Sequence, residues 1–240
     1  MRKSQRSHHK AGKNEAFWNR EYKAGEHLAL STNPSEDLQK FISWLERLHG
    51  RKYLNPLASV IDLGCGNGRN LIYLSQNFGM RGIGIDLSKQ AIAQAKSLSV
   101  ELPIQYIVES IANPLPIADT SQTLVLDMMT SHFLNNAERA KLLKEIKRVL
   151  RSDGWLFLKT FLRDEDEHAE RLLKENPGSE AGSYIHPEIG VAEHVFTEAE
   201  ITKTLEEDFI IHKINKSHRH SRDGRAGKRR SMSIYAQVKP

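Results

Sequence analysis

The sequence predicts an α/β fold: a mostly parallel, seven-stranded sheet with helices on both faces and a reversed C-terminal strand. Three observations predict it. Short β-branched runs alternate with amphipathic helical stretches from Ser59 to Phe161, the pattern of successive β–α–β crossovers. The first of these runs opens into a glycine-rich turn, VIDLGCGNGRN, Val60 to Asn70. The last two runs, FIIHKINK and SMSIYAQVK, have only a basic loop between them, and direct succession without a crossover helix means an antiparallel pair.

The elements follow in order. Residues 1–14 are basic and lack apolar periodicity, which predicts a disordered tail; residues 15–240 read as one domain. FWNREYKAG reads as a short helix carrying Trp18 and Tyr22. NPSEDLQKFISWLERLHG reads as a helix with Leu38, Phe41, Ile42, Leu45 and Leu48 on one stripe, Ser35 capping its start and Gly50 ending it. SVIDL is the first strand, followed by the glycine loop and a helix from Arg69 to Phe78. RGIGIDL is the second strand, and Ser88 caps the helix KQAIAQAKSL. IQYIVE and TLVLDMM are further strands. NAERAKLLKEIKRVL is an amphipathic helix with Leu142, Leu143, Ile146, Val149 and Leu150 inward, stopped by SDG before the fifth strand, WLFLKTF. The stretch from about 162 to 196 is too long for a simple connection and reads as a lid-like insertion.

Composition narrows the class. No apolar run among the 240 residues approaches a membrane span, and the basic N-terminus has no apolar segment, so it does not read as a secretory signal. One cysteine excludes an intrachain disulfide and points to a cytoplasmic setting. The net charge of +5 is concentrated in the first thirteen residues and in Ser217 to Arg230. Such runs either contact polyanions or are solvated surface.

A glycine turn after a strand lets a ligand approach the backbone closely. Here Gly64, Gly66 and Gly68 make GxGxG rather than the GxGxxG of dinucleotide sites, and Asp62 stands two residues before them. A carboxylate there suits a cationic ligand better than a pyrophosphate. The second strand ends in Asp86, eighteen residues past Gly68, where an acid can accept from both hydroxyls of a ribose. Each acid also has a purely structural alternative: Asp62 can bond N–H groups of its own turn, and Asp86 can cap the helix that follows Ser88.

VIDLGCGNGRN and GIGIDLS resemble the first two motifs of the class I S-adenosylmethionine-dependent methyltransferases. The resemblance spans roughly Val60 to Phe161, and the terminal hairpin suits that family's Rossmann-like, seven-stranded sheet with its reversed last strand. GCGNGRN together with HVFTEAEI is similar to the small-molecule and tellurite-resistance-like branch. The resemblance implies S-adenosylmethionine as cofactor. Asp62 and the loop around Gly64, Cys65, Gly66 and Gly68 would hold its methionine part, Asp86 its ribose and Leu87 its adenine. Ser110 and Ile111 fall in the slot after the third strand where the family often places an acid and an apolar residue against the adenine. The usual acid is absent there, and Thr123 stands where the family often has an acid entering the fourth strand.

Methyl transfer is an in-line displacement at a sulfonium carbon, so orientation and desolvation supply much of the rate; a base is needed only for a protonated acceptor. Asp127 and His132, near the end of the fourth strand, are the candidates for chemistry, Asp127 alternatively as a strand-end acid and His132 as a packed residue. Tyr184, His186, Glu193 and His194 in the insertion are substrate-pocket candidates, or a solvated cover. No metal site is expected. If the strand ending near Lys216 runs parallel to the core strands, then Arg222, Arg225, Lys228, Arg229 and Arg230 border the cleft and could guide an anionic substrate, RNA included. The expectation is a methyltransferase acting on a small molecule, with RNA or protein as other substrates. A nicotinamide-dependent oxidoreductase and a non-catalytic binding module are the readings from other classes; cofactor titration separates them.

Overall fold

The computed structural model describes residues 14–25, 30–217, 221–222, 225–226 and 229–240, the backbone alone for residues 221, 222, 225 and 226. The basic segment 1–13 and Lys228 lie outside the described residues. Helix α1 covers residues 14–24 and ends at Gly25, whose φ is +63°. Helix α2, Glu36–His49, buries Leu38, Phe41, Ile42 and Leu45. Two expectations for it need correction. The apolar stripe stops at Leu45, leaving Leu48 in the last turn exposed, and Ser35 occupies the N-cap without a side-chain bond. Its backbone N–H instead donates to Asn70 Oδ1 at 3.1 Å.

The chain then alternates through β1 (Ser59–Leu63), α3 (Arg69–Phe78), β2 (Arg81–Asp86), α4 (Lys89–Leu98), β3 (Ile104–Val108), β4 (Gln122–Met128), α5 (Asn136–Val149) and β5 (Leu150–Phe161). Asn135 caps α5 through a reciprocal box with Glu138, and Ser88 caps α4 by accepting from the Ala91 N–H, as the sequence signals suggest. The SDG triplet does not separate α5 from the next strand. β5 begins at Leu150, and residues 151–154 bulge out of register with β4 between Gln122 and Leu124. Gly154 permits this fold-back, because a Cβ there would meet Leu150 Cδ2 at 2.9 Å and the Arg151 carbonyl oxygen at 3.0 Å.

Segment 162–196 holds α6 (Glu167–Glu175) and a small hairpin of β6 (Ser183–Ile185) and β7 (Ala192–His194). After it come α7 (Glu198–Leu205), β8 (Phe209–Lys216), the short pair β9 (Ser221–Arg222) and β10 (Arg225–Ala226), and β11 (Ser231–Val238). The seven-stranded sheet has the order β3-β2-β1-β4-β5-β11-β8, with β11 antiparallel to both neighbours. β8 therefore runs parallel to the core strands, which meets the condition set for the basic loop to follow its C-terminal end.

The two-residue period of the strands sorts the core into two layers. Ile61, Leu63 and Val125 face α5 and α7 with Leu142, Ile146, Ile201 and Leu205. Val60, Leu124 and Leu126 face α2 and α3 with Phe41, Leu45, Leu71 and Leu74. The strand order reverses at β1 and β4, which places a crevice beyond their C-terminal ends. Among the described residues no helix is long and apolar enough to cross a membrane.

Candidate functional site

β1 ends in Asp62 and Leu63, and the chain then makes a turn that only glycine fits at two points. Gly64 has φ +72°, and a Cβ on it would lie 2.3 Å from Thr130 Cγ2. Gly66 has φ +56°, and a Cβ on it would lie 2.2 Å from the Tyr22 hydroxyl of α1. The turn is pinned to β2: the N–H groups of Gly64 and Cys65 both donate to the Ile85 carbonyl, at 2.7 and 3.0 Å. Asp86 completes the pinning. One carboxylate oxygen accepts from the Gly66 N–H at 2.9 Å and the other from the Ser88 N–H at 2.8 Å.

Above this turn lies a cavity of about 340 Å³. Asp62, Gly64, Cys65, Gly66, Asp86 and Leu87 form one half of its lining, with Ser110 and Ile111 at the end over β3. The other half, beyond β4 and β5, is built from Trp18, Leu30, Met128, Met129, Phe133 and Lys159. α1 spans both halves. Its Asn19 Oδ1 accepts from Ser88 Oγ at 2.9 Å over the first half, and its Trp18 ring stacks edge-on against Phe133, centroids 5.2 Å apart, over the second.

The acids differ in what they have free. Asp62 is 1% exposed, and its Oδ2 has no hydrogen-bond partner among the described residues. Burial pushes its carboxyl up to about 7. A buried orphan acceptor of this kind is costly and marks a place for a donor, best a cationic one. Burial also raises Asp86, while its bonds from the Ser88 and Gly66 N–H groups pull the other way. Each oxygen of that carboxylate keeps a further lone pair for a ligand hydroxyl. Cys65 contributes backbone: its thiol packs against Gly84 and is pushed well up by burial, so it stays protonated. Gly68 does not line the cavity; a Cβ on it would meet the Tyr106 hydroxyl at 2.4 Å, which makes it a packing glycine between α3 and β3. The residues present fit S-adenosylmethionine. Asp62 would take its ammonium, Asp86 its ribose, Leu87 and Ile111 the faces of its adenine; bound there, the cofactor supplies an electrophilic methyl group.

The expected chemical residues lie elsewhere. Strand alternation turns Asp127 onto the Val125 face, behind the cavity wall, where its Oδ1 accepts from the Ser131 N–H at 3.0 Å. It is 1% exposed, burial pushes it up to about 6, and it lines a separate cavity of about 200 Å³ between α5 and α7. His132 is 2% exposed and directed away from the cleft, its ring 5.0 Å from that of Phe161; burial lowers it well below its usual value, so it is neutral. The neighbouring Phe133 takes the place at the cleft.

The insertion does not cover the cleft, since none of residues 162–196 lines it. It packs through Ala169, Leu172, Tyr184 and Val195 against Phe161 at the end of β5. Tyr184 is fully buried, and its hydroxyl donates to Glu193, which also accepts from Arg229. Arg229 lies over the Phe161 ring, 3.4 Å from its centroid. Burial raises the Glu193 carboxyl, while the Arg229 guanidinium in contact with it favours the ionised form and is its counter-ion. His194 Nε2 pairs with Glu200 Oε1 at 2.8 Å, and half-buried His186 accepts from the Glu188 N–H at 3.3 Å. Tyr184, His186, Glu193 and His194 are thus parts of the insertion's own framework. Arg230 likewise turns inward, donating to the Asp164 carbonyl at 2.7 Å and to Glu165 Oε2 at 3.0 Å. Arg229 and Arg230 tie the basic loop to the insertion instead of facing an incoming polyanion. Arg222 and Arg225 pair through their backbones across β9 and β10.

Residues 61–158 match the methyltransferase-domain family. An uncharacterized methyltransferase of Synechocystis sp. is 30% identical over 101 residues, 42% of this chain and 46% of that protein. Trans-aconitate 2-methyltransferase of Azoarcus sp. is 27% identical over 60% of this chain and 58% of that protein. A solved S-adenosylmethionine-dependent methyltransferase of Methanosarcina mazei superposes with a TM-score of 0.66 and 25% identity, covering 79% of this chain and 96% of that one.

Residues 61–158 carry a class I S-adenosylmethionine-dependent methyltransferase domain.

The chain spans about half the length of these two curated relatives. The matched segment contains the glycine turn, Asp62, Asp86 and, from the other half of the cleft, Met128, Met129 and Phe133, whereas Lys159 and α1, which supplies Trp18 and Tyr22, lie outside the matched residues. Sequence reasoning places Trp18 and Tyr22 on a helix but not at the site. Their spacing of four residues, which puts both rings on one face, is the signal that was present. Asn67, Asn70 and Lys159 carried no comparable signal. Among the described residues no group of three or more His, Cys, Asp and Glu side chains is placed to hold a metal ion.

Proposed function

We propose that this protein transfers a methyl group from S-adenosylmethionine to a small-molecule acceptor held between α1 and the ends of β4 and β5. The observation that carries the reading is the free, buried Asp62 oxygen facing the cavity beside the glycine turn. It is an acceptor waiting for a cation, seven residues before the start of α3 at Arg69 and close to the ribose-type acid Asp86. The oxidoreductase reading lacks a counterpart for that free acid, because a pyrophosphate would be repelled by it.

The acceptor half favours a compact ligand. Trp18, Leu30, Met128, Met129 and Phe133 offer apolar and aromatic contact within a partly enclosed cavity. Its polar groups are already engaged: Lys159 Nζ pairs with Asp37 at 2.5 Å, and Glu138 Oε2 accepts from the Asn135 N–H at 2.9 Å. Among the described residues of this half, Lys159 is thus paired and Glu138 is held in the cap of α5. The protein's part is then to orient the acceptor and exclude water, which suits an acceptor atom that arrives with its lone pair available. The trans-aconitate relative is consistent with a small acceptor. The single cysteine suits a cytoplasmic enzyme.

Calorimetric titration with S-adenosylhomocysteine, followed by transfer of labelled methyl to metabolite, protein and RNA fractions, tests the reading. Binding with label in the small-molecule fraction is expected. Absence of binding removes the methyltransferase reading, and label confined to RNA or protein removes the small-molecule acceptor.

A further inference from the structure

The cavity behind β4 shares no lining residue with the cofactor cleft. The strands deal their side chains to the two sides. In the sheet, Asp127 is in register with Leu158 and Met128 with Lys159. The first pair lines the rear cavity of about 200 Å³, and the second lines the cleft. The rear cavity is walled by α5 and α7 through Leu142, Ile146, Ile201 and Leu205. An apolar cavity of about 150 Å³ is enough to take a benzene ring, so this one has room for a hydrocarbon body of that size and a small head group.

Three charged side chains line it: Asp127, Arg139 and Glu200. Two of them have partners. Arg139 donates to the Leu134 carbonyl and to Asn136 Oδ1, and lies over the Phe196 ring at 5.4 Å from its centroid. Glu200 Oε1 meets His194 Nε2 at 2.8 Å. Asp127 differs. Its Oδ1 accepts from the Ser131 N–H, but its Oδ2 has no hydrogen-bond partner among the described residues. It is 1% exposed, and burial raises its carboxyl only to about 6, so at neutral pH it is largely an ionised group shut away from water. No cation pairs with it among the described residues. A buried charge in that state is costly, and a counter-ion that also donates a hydrogen bond relieves it. With two carboxylates against one guanidinium, the lining as a whole favours a cation.

We propose that the rear cavity is a second ligand site, which takes a primary ammonium carrying a short branched or aromatic hydrocarbon body. The ammonium sits on Asp127 and the body lies among Leu142, Ile146, Ile201 and Leu205. Such a ligand is bound and not methylated, because β4 and β5 stand between it and the cleft. The site is independent of which cofactor the cleft holds.

Calorimetry on the full chain with no cofactor added tests this at neutral pH, with benzylamine as the probe, benzyl alcohol as its neutral counterpart and benzoate as the anionic one. Benzylamine should bind wild type about tenfold or more tighter than benzyl alcohol, since a charge-assisted hydrogen bond is about twice as strong as a neutral one, and benzoate should bind more weakly than either. In Asp127→Asn the preference for the amine should shrink to within about twofold. Leu143→Trp, at the half-buried rim of the cavity, should block benzylamine in a protein whose thermal unfolding stays cooperative. Benzylamine should move the methyl resonances of Leu142, Ile146, Ile201 and Leu205 and leave those of Met128 and Met129 in the cleft in place. No binding of benzylamine, equal affinity for amine and alcohol, an amine preference that survives in Asp127→Asn, or shifts confined to Met128 and Met129 overturns the proposal. If Asp127→Asn fails to fold, the wild-type amine preference, the resonance map and Leu143→Trp still decide it. Failure here leaves the cofactor reading standing, because that reading is tested by S-adenosylhomocysteine binding alone.

Discussion

The Gly66 N–H donates to Asp86 Oδ2 across 2.9 Å, twenty residues along the chain, so the acid that would hold a ribose also fixes the turn that would hold the methionine part. Its other oxygen accepts from the Ser88 N–H and orients the start of α4. The two alternatives that the sequence left open for Asp86, ligand acid and capping acid, are both geometrically satisfied by one carboxylate with four lone pairs.

Replacing Asp86 by Ala should therefore cost more than one ligand contact. The ribose loses a charged acceptor, and the Gly66 N–H loses its partner. We expect S-adenosylhomocysteine affinity to fall about ten- to a hundredfold, at about 1.4 kcal/mol per factor of ten. Unchanged affinity by calorimetry would remove Asp86 from the site.

Asp62 predicts a pH dependence. Its folded, ligand-free carboxyl is pushed from 3.8 up to about 7 by burial. A proton is thus held more tightly in the folded state, so this group's contribution to stability is fully present below about pH 3.8 and is lost as pH rises through about 7. A cationic ammonium needs the ionised form, so binding must expel that proton. S-adenosylhomocysteine affinity should weaken as pH falls below about 7, by up to about tenfold per unit, with a proton released on binding. In Asp62→Asn the affinity should be low and this part of the pH dependence gone. An unchanged pH profile in that variant would contradict the assignment.

Much of this was legible in the sequence, for identifiable reasons. α3 spans Arg69–Phe78 as its periodicity and the glycine before it indicated, and the antiparallel pairing of β8 with β11 followed from the lack of a crossover between them. The cofactor half was legible because its residues are consecutive, with Asp62 to Gly66 in one turn and Asp86 and Leu87 at one strand end. The acceptor half was not, because it is assembled from α1, the end of β4 and the end of β5, with no local pattern joining them. Asp127 and His132 misled for one reason: nearness to a strand end says which edge a residue reaches, while parity along the strand says which face it takes. Val125 and Asp127 share the α5 face, and the turn at Ser131–Phe133 sends Phe133 rather than His132 to the cleft. The insertion's polar residues read as a substrate pocket because their partner, Arg229, is remote in sequence and the buried network it completes has no local signature.

Asp127→Asn separates wall from site. The Asn carbonyl oxygen can still accept from the Ser131 N–H, so the turn is kept. Methyl transfer and cofactor affinity should both stay within about twofold of wild type. Stability should rise slightly above about pH 6, where wild type carries a buried charge that the Asn variant lacks. Loss of transfer with cofactor affinity intact would return Asp127 to the chemistry.

Arg229 tests whether the basic loop serves structure or substrate. Its guanidinium stacks on Phe161 and meets Glu193 and the Tyr184 hydroxyl in a site where Glu193 is only 3% exposed. Arg229→Met keeps much of the side-chain volume but leaves Glu193 without its counter-ion. Breaking a buried pair from one side costs about 3–5 kcal/mol, because the remaining charge must be neutralised or exposed. Denaturant unfolding should register a loss of that order for Arg229→Met. The double variant with Glu193→Gln should recover most of it, since neither charge then remains and Gln can still accept from Tyr184. A substrate-guiding arginine would behave in the opposite way: its removal would leave stability nearly unchanged and would weaken and flatten salt-dependent binding of an anionic substrate. Its position over Phe161, at the end of the strand that carries Lys159 into the cleft, makes the first outcome the expected one.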